Sequence, residues 1–102
     1  MKVLNFGSLN IDRSYTVPHF VGAGETLASV ALETACGGKG LNQSIALARA
    51  GVPVWHAGKI GADGEMLLQE LRASGADVSC VLRDSSVPTG HAIIQVDANG
   101  QN

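Results

Sequence analysis

The stretch Gly37-Gly38-Lys39-Gly40-Leu41-Asn42 decides the fold, because a glycine-rich turn here leads from an extended run into a helix. Glycine has no Cβ, so its backbone adopts unusual dihedral angles and brings its N–H groups close to a ligand. Free N–H groups and the positive end of the helix dipole lie at a helix start. A small polyhydroxylated ligand fits such a turn, although by itself the motif is equally typical of a plain strand-to-helix connection.

Downstream of this turn, the sequence predicts alternating helices and strands. Leu41, Ile45 and Ala48 fall on one helix face, and Gly51 stands where a helix C′ residue belongs. Asp63 is a candidate N-cap for a second helix. That helix carries Leu67, Leu68 and Leu71 on one side and ends near Gly75, and strands are predicted over 54–60, 78–83 and 91–96.

Upstream of the turn, residues 2–7 are typical of a short first strand. Two further extended runs, 13–17 and 26–36, flank a loop with two glycines and are consistent with a hairpin. Asp97-Ala98-Asn99-Gly100 is a turn signal after the last predicted strand. The strand expected to pair with 91–96 is missing, so we expect an amino-terminal part of a longer protein with an unpaired final strand.

Asn10 and Asp12 form a second polar feature, at the carboxyl end of the first predicted strand. Their i, i+2 spacing puts both side chains on one face of an extended segment, where a carboxylate and an amide take several sugar hydroxyls together. The alternative is an Asx-type turn that only ends the strand.

Composition excludes several classes of function. With 102 residues, a net charge of −2 and no dense Lys/Arg run, the chain offers no electrostatic footprint for nucleic acid or an anionic membrane. No apolar stretch approaches the ~20 residues of a membrane span, so a cytoplasmic location is expected. The cysteines and histidines share no ligand spacing, which predicts no metal site and structural or surface roles for the histidines. Neither Gly38-Lys39 nor Gly58-Lys59 continues into a Walker A motif.

Taken together, these elements resemble the ribokinase-like (PfkB) family of carbohydrate kinases. The first family signature has paired glycines, a short gap, Asn-x-Ser/Thr/Ala, a glycine after six residues and another after nine more. The positions that fit it are Gly37, Gly38, Asn42, Ser44, Gly51 and Gly61. The lysine in the turn and the upstream Asn-x-Asp look most like members that phosphorylate ribose, so ribose-type substrates are expected.

The resemblance implies an α/β fold, namely the amino-terminal part of a ribokinase-like Rossmann-type α/β/α fold with a small β-sheet lid. Residues 1–102 would form one truncated domain, with lid strands near 13–17, 26–36 and 91–96. The lid is expected to cover the sugar and to mediate a homo-oligomer. The residues implied to bind the sugar are Asn10, Asp12, Gly38, Lys39 and Asn42.

The implied activity of the longer parent is transfer of phosphate from ATP, with magnesium, to a hydroxymethyl group of the sugar. The family's catalytic Asp and nucleotide site belong to a later part of the fold. We therefore expect no catalytic, cofactor or metal residue in this chain, and no activity from it alone. Two alternatives stay open: a noncatalytic sugar-binding or oligomerisation module, and a nucleoside kinase of the same fold.

Overall fold

The computed structural model describes residues 1–102, which form two three-stranded sheets and two helices. The elements in chain order are β1 (Val3–Phe6), β2 (Asn10–Thr16), β3 (Ala31–Gly37), α1 (Lys39–Arg49), β4 (Val54–Gly61), α2 (Glu65–Ser74), β5 (Asp77–Asp84) and β6 (His91–Val96).

The first sheet has the order β1-β4-β5, and its strands are parallel. Parallel neighbours need long crossover connections, which here contain the helices. Both helices pack against this sheet and against each other. The core between them buries the apolar side chains Leu9, Ile11, Leu41, Val54, Ile60, Leu67, Leu68, Leu71 and Ala76.

The predicted helix faces are confirmed. Leu41 is buried, and Ile45 and Ala48 pack beside it against the core. Gly51 follows the C-cap of α1 with a φ of +86°, and Gly75 ends α2 in the left-handed region, as glycines at these positions do. These boundaries were predictable because the period of the apolar residues and the glycine stops are both local signals.

The N-cap expected at Asp63 is wrong. Gly64 occupies the cap of α2, and no side chain bonds to the helix start there. One carboxylate oxygen of Asp63 instead accepts a hydrogen bond from the backbone N–H of Thr89, at 2.8 Å. The local sequence pattern predicted a hydrogen bond from the start of α2 to this carboxylate. The carboxylate bonds instead to a residue that is distant in sequence.

The second sheet has the order β3-β2-β6. β2 and β3 form the predicted antiparallel hairpin, but β3 begins at Ala31 rather than at residue 26. The connecting loop makes its own turn, in which the Glu25 carboxylate accepts bonds from the Gly22 N–H and from His19. β2 begins at Asn10, earlier than the predicted 13, because Asn10 already pairs with Gly37.

The last strand pairs differently from the expectation. β6 runs parallel to β2, with Ile11 opposite His91 and Thr16 opposite Val96, so it is not unpaired. The turn at 97–100 does form, since the Gly100 N–H donates to the Asp97 carbonyl at 3.0 Å. β6 is an edge strand of its sheet, so its side away from β2 has no strand partner in this chain.

The α/β class and the small separate sheet agree with the expected ribokinase-like fold. Within these residues, helices cover one face of the first sheet. On the other face Leu4, Phe6 and Leu82 are 66%, 84% and 67% exposed. The chain thus holds two of the three layers of an α/β/α arrangement. Neither helix has the length and apolar character needed to cross a membrane.

Candidate functional site

The start of α1 packs backbone to backbone on the segment that follows β1. A Cβ added at Gly7 would lie 2.6 Å from the Gly40 Cα, so the two main chains touch. The Leu41 N–H donates to the Ser8 carbonyl at 3.0 Å, and the Gly40 N–H donates to the Ser8 hydroxyl at 3.3 Å. The glycine turn is therefore fixed on the residues that lead into β2.

Asn10 and Asp12 lie on the same face of β2, as their spacing predicts, with the buried Ile11 between them facing the core. Asn10 is opposite Gly37 across the hairpin. The Asp12 carboxylate lies over the same glycine, because a Cβ added at Gly37 would be 2.6 Å from Asp12 Cγ. The Asp12 side chain thus borders the end of β3, while the Asn10 amide lies next to Gly90, where an added Cβ would be 2.8 Å from Asn10 Oδ1.

The remaining three predicted residues come directly after Gly37 in the chain, at the start of α1. Gly38 caps α1 with a φ of +106°, a backbone conformation that favours glycine. Lys39 is the first residue of α1, and the Asn42 N–H donates to the Gly38 carbonyl at 3.1 Å. The structure therefore brings all five predicted residues to one place, around the end of β3 and the first turn of α1.

The polar side chains of this group have free hydrogen-bonding capacity. Lys39 and Asn42 are exposed and Asn10 and Asp12 are half-buried. None of these four side chains takes part in the hydrogen bonds or ion pairs within the chain, which use other donors and acceptors. A carboxylate, two amides and an ammonium group supply donors and acceptors together, which is what a ligand with several hydroxyls requires.

A cavity of about 610 Å³ adjoins this group at the carboxyl ends of β1 and β4. Its lining consists of Phe6, Gly7, Ser8, Leu9, Asn10, Gly58, Lys59, Leu82 and Gly90. Asn10 is the one predicted residue in that lining. Lys59 is a cavity residue that sequence reasoning missed, because Gly58-Lys59 carried no signal beyond an incomplete nucleotide motif.

Asp63 joins the two sheets through hydrogen bonds. Besides the bond from Thr89 N–H, it accepts one from Arg13 of β2 at 3.4 Å, and the Thr89 hydroxyl accepts one from the Gly61 N–H at 2.9 Å. The hydrogen bonds from Thr89, with a contribution from Arg13, lower the pKa of Asp63 to about 2. We call Arg13, Gly61, Asp63 and Thr89 the Asp63 clamp; it links β2 and the start of β6 to the end of β4.

Comparisons with known proteins identify the family and the fold. The family model of the pfkB family carbohydrate kinases matches residues 1–102. The ribokinase of Staphylococcus aureus is 38% identical over 99% of this chain, which spans 34% of that relative. A solved ribokinase from Cryptococcus neoformans in complex with ADP superposes with a TM-score of 0.94 at 40% identity, over 99% of this chain and 32% of that one.

The ribokinase of Arabidopsis thaliana, solved with ribose and ATP, superposes with a TM-score of 0.86 at 30% identity, over 99% of this chain and 33% of that one. The chain thus spans about a third of the length of the relatives it matches.

Proposed function

The chain belongs to the pfkB family of carbohydrate kinases, and on that premise we propose that it forms the sugar-binding part of an ATP-dependent kinase. The proposed reaction transfers a phosphoryl group to a hydroxymethyl group of ribose or a similar sugar. The observation that carries the proposal is the convergence of Asn10, Asp12 and the α1 start on Gly37, with all of their polar side chains free to bind a ligand.

The roles proposed for these residues follow from their chemistry. The Asp12 carboxylate accepts hydrogen bonds from two neighbouring sugar hydroxyls, and the Asn10 amide donates to one and accepts from another. Lys39 and Asn42 lie on α1, and they contact the side of the ligand that faces away from Asn10 and Asp12. Gly38 lines the proposed site with its main chain, and it must be glycine because its φ is +106° and a Cβ would lie 2.6 Å from the Ser8 carbonyl oxygen. These contacts orient the ring so that one hydroxymethyl group faces the phosphoryl donor.

The second sheet is the proposed lid. β2 carries Asn10 and Asp12, and the Asp63 clamp fixes this sheet relative to the first one. A sheet held over the sugar excludes water during phosphoryl transfer, which limits hydrolysis of the donor. The Arabidopsis relative solved with both ribose and ATP supports a ternary complex of this kind.

Magnesium and ATP are proposed to be held mainly by other parts of the longer protein. No three His, Cys, Asp or Glu side chains converge as a metal donor set within residues 1–102. The glycine turn also lacks the Ser or Thr that follows lysine in a Walker A loop. We therefore propose that both the metal-bound nucleotide and the catalytic base are held by residues outside these 102. The cytoplasmic location stays a prediction from the sequence.

The lid is also the proposed site of homo-oligomer formation. A shallow apolar groove of about 290 Å³ lies on it, lined by Tyr15, Val17, Val21, Leu27, Ser29, Ile93 and Gln95. Side chains alternate along a strand, so Tyr15 and Val17 lie on the face of β2 opposite to Asn10 and Asp12. A second copy seated in this groove would leave the sugar residues free.

The deciding experiment is an ADP-release assay with saturating magnesium and ATP, on the product of the complete open reading frame and on the 102-residue chain. We expect turnover of ribose by the complete product and none by the chain alone. Turnover of nucleosides but not of free sugars would replace the substrate assignment. Binding of ribose by calorimetry without ADP release from either protein would favour a noncatalytic sugar-binding module.

A further inference from the structure

Three polar side chains form a buried network beneath the glycine turn. The Ser44 hydroxyl of α1 lies 2.7 Å from His56 Nδ1 of β4, and both residues are 0% exposed. His56 Nε2 lies 3.1 Å from the Gly7 carbonyl. Asn5 Nδ2 of β1 lies 2.9 Å from the Ser44 hydroxyl and 3.0 Å from the Gly40 carbonyl.

The partners of the network fix the direction of every hydrogen bond. A carbonyl only accepts, so His56 Nε2 carries the proton and donates to Gly7, which leaves Nδ1 as an acceptor. Ser44 must then donate its hydroxyl proton to Nδ1 and accept from Asn5. The second amide proton of Asn5 goes to Gly40. Burial lowers the pKa of His56, which favours the neutral ring, and a neutral ring with its proton on Nε2 satisfies both hydrogen-bond partners.

Both ends of the network lie on the two residues whose main chains touch. Gly7 leads through Ser8 into Asn10, whereas Gly40 belongs to the turn that carries Lys39 and Asn42. The bonds from His56 and Asn5 therefore tie the two halves of the sugar site together from the core side. The bonds from Leu41 and Gly40 to Ser8 do the same from the outer side.

We infer that Asn5, Ser44 and His56 are positioning residues that hold the glycine turn against the segment before Asn10, and so set the distance between the two groups of sugar-binding side chains. This inference rests on the proposed function for its link to sugar. Apolar side chains of similar volume would fill the same space, but they would not bond to the Gly7 and Gly40 carbonyls. A directional network specifies one arrangement of the two segments, and a displacement of about 1 Å at a reacting ligand is costly.

The two nitrogens of His56 are separable by substitution, which gives the test its sharpest form. The amide nitrogen of glutamine takes approximately the place of Nε2, so His56→Gln keeps a donor for Gly7. The amide of asparagine takes approximately the place of Nδ1, so His56→Asn keeps only the contact with Ser44. His56→Phe keeps the ring and removes both bonds. Leu71→Ala, which removes buried apolar volume on α2, is the control for a general loss of stability, because Leu71 makes none of the hydrogen bonds of the network.

The first measurement is the sugar KM and kcat of the complete gene product and its variants. We expect His56→Phe and His56→Asn to raise KM by about tenfold, as for loss of one oriented hydrogen bond, with kcat changed far less. The KM of His56→Gln should stay within about threefold of the KM of the unsubstituted gene product, and Leu71→Ala should leave KM unchanged. Equal KM values for the parent and the Phe variant would overturn the inference, as would equal rises in the Gln and Asn variants.

The second measurement needs no sugar and therefore separates this inference from the proposed function. Hydrogen–deuterium exchange is followed in peptides covering 38–44, which contain the Leu41 N–H bonded to Ser8, and 72–78, which contain the Ala76 N–H bonded to Leu71. His56→Phe and Ser44→Ala should speed exchange in 38–44 and leave 72–78 unchanged. An equal increase of the exchange rate in both peptides would mean that the network contributes only to the general stability of the core, which would overturn the inference. If the parent protein turns over no sugar, the exchange pattern still decides whether the network holds the turn.

Discussion

The Asp12 carboxylate occupies the space into which a side chain at Gly37 would project. A Cβ at Gly37 would lie 2.6 Å from Asp12 Cγ, and Gly37 is also the residue opposite Asn10 in the hairpin. The absence of a side chain at this one position therefore leaves room for the Asp12 carboxylate beside the glycine turn. Gly37 matters here for the room that it leaves, not for its backbone angles, since its φ is not positive.

Gly37→Ala tests this relationship. The new methyl group should displace the Asp12 carboxylate and raise the KM for sugar by about tenfold in the complete gene product, the scale of one lost charged hydrogen bond. Gly22→Ala is the matched control, because a Cβ there meets only Glu25 at 3.8 Å in the remote loop. An unchanged KM in Gly37→Ala would show that Asp12 does not depend on this space.

Asp12→Ala removes the proposed acceptor itself. Loss of a charge-assisted hydrogen bond should weaken sugar affinity by roughly 1–3 kcal/mol, measured by isothermal titration calorimetry. Asp12→Asn should lose part of that amount, because an amide oxygen still accepts. Glu70→Gln removes an exposed carboxylate on α2 and should bind sugar normally. Normal affinity in Asp12→Ala would remove Asp12 from the proposed site.

The Asp63 clamp should make the free energy of unfolding depend on pH in the acidic range. The folded-state pKa of Asp63, about 2, lies below its usual 3.8, so the unfolded state binds more protons between these values. The stabilising contribution is therefore present above pH 3.8 and is lost as pH falls through about 2. Urea unfolding across this range should show a weaker pH dependence in Asp63→Asn than in the parent.

Asp77 and Asp84 also have lowered pKa values, mainly from bonds donated by Ser79 and Ser86. They remain in both proteins, so only the difference between parent and variant reports on Asp63. Identical slopes in the two proteins would mean that the clamp does not contribute through its charge.

His56 gives a second pH window. Burial lowers its pKa below the usual 6.5, so the unfolded state takes up a proton that the folded state does not. The free energy of unfolding should fall as pH decreases below 6.5, and His56→Gln should flatten this decline. Chemical unfolding curves at closely spaced pH values measure it. A decline of the same size in His56→Gln would assign the effect to other groups.

The apolar groove of the lid predicts how copies associate. Ile93 is 68% exposed at this groove, and Ile93→Asp should shift the complete gene product toward monomer in analytical ultracentrifugation, because a charge is costly to bury in an apolar interface. Gln69→Asp, on the exposed face of α2, adds the same charge elsewhere and should not change the assembly. A parent protein that is monomeric at all concentrations would remove the proposed oligomer.

The buried faces and the carboxyl ends of the helices were predictable, and the second sheet only in outline. Leu67, Leu68 and Leu71 mark the buried face of α2 through their spacing alone, and glycine marks its end. The start of β3 was misplaced because the bonds of Glu25 with His19 and Gly22 compete with strand pairing in a way that strand propensity does not show. The pairing of β6 with β2 was not predicted, because the sequence of a strand does not specify which strand pairs with it.

The sequence by itself determined the glycine turn, the shared face of Asn10 and Asp12, and the alternation of strands with helices. These features depend on backbone dihedral preferences and side-chain periods that neighbouring residues encode. Only the tertiary structure decided that His56 reaches Gly7, that Asp63 bonds to Thr89 rather than capping α2, and that β6 lies parallel to β2. Those contacts join residues that are far apart in the chain. They form because buried polar groups need hydrogen-bond partners, and which partners are within reach depends on the path of the whole chain.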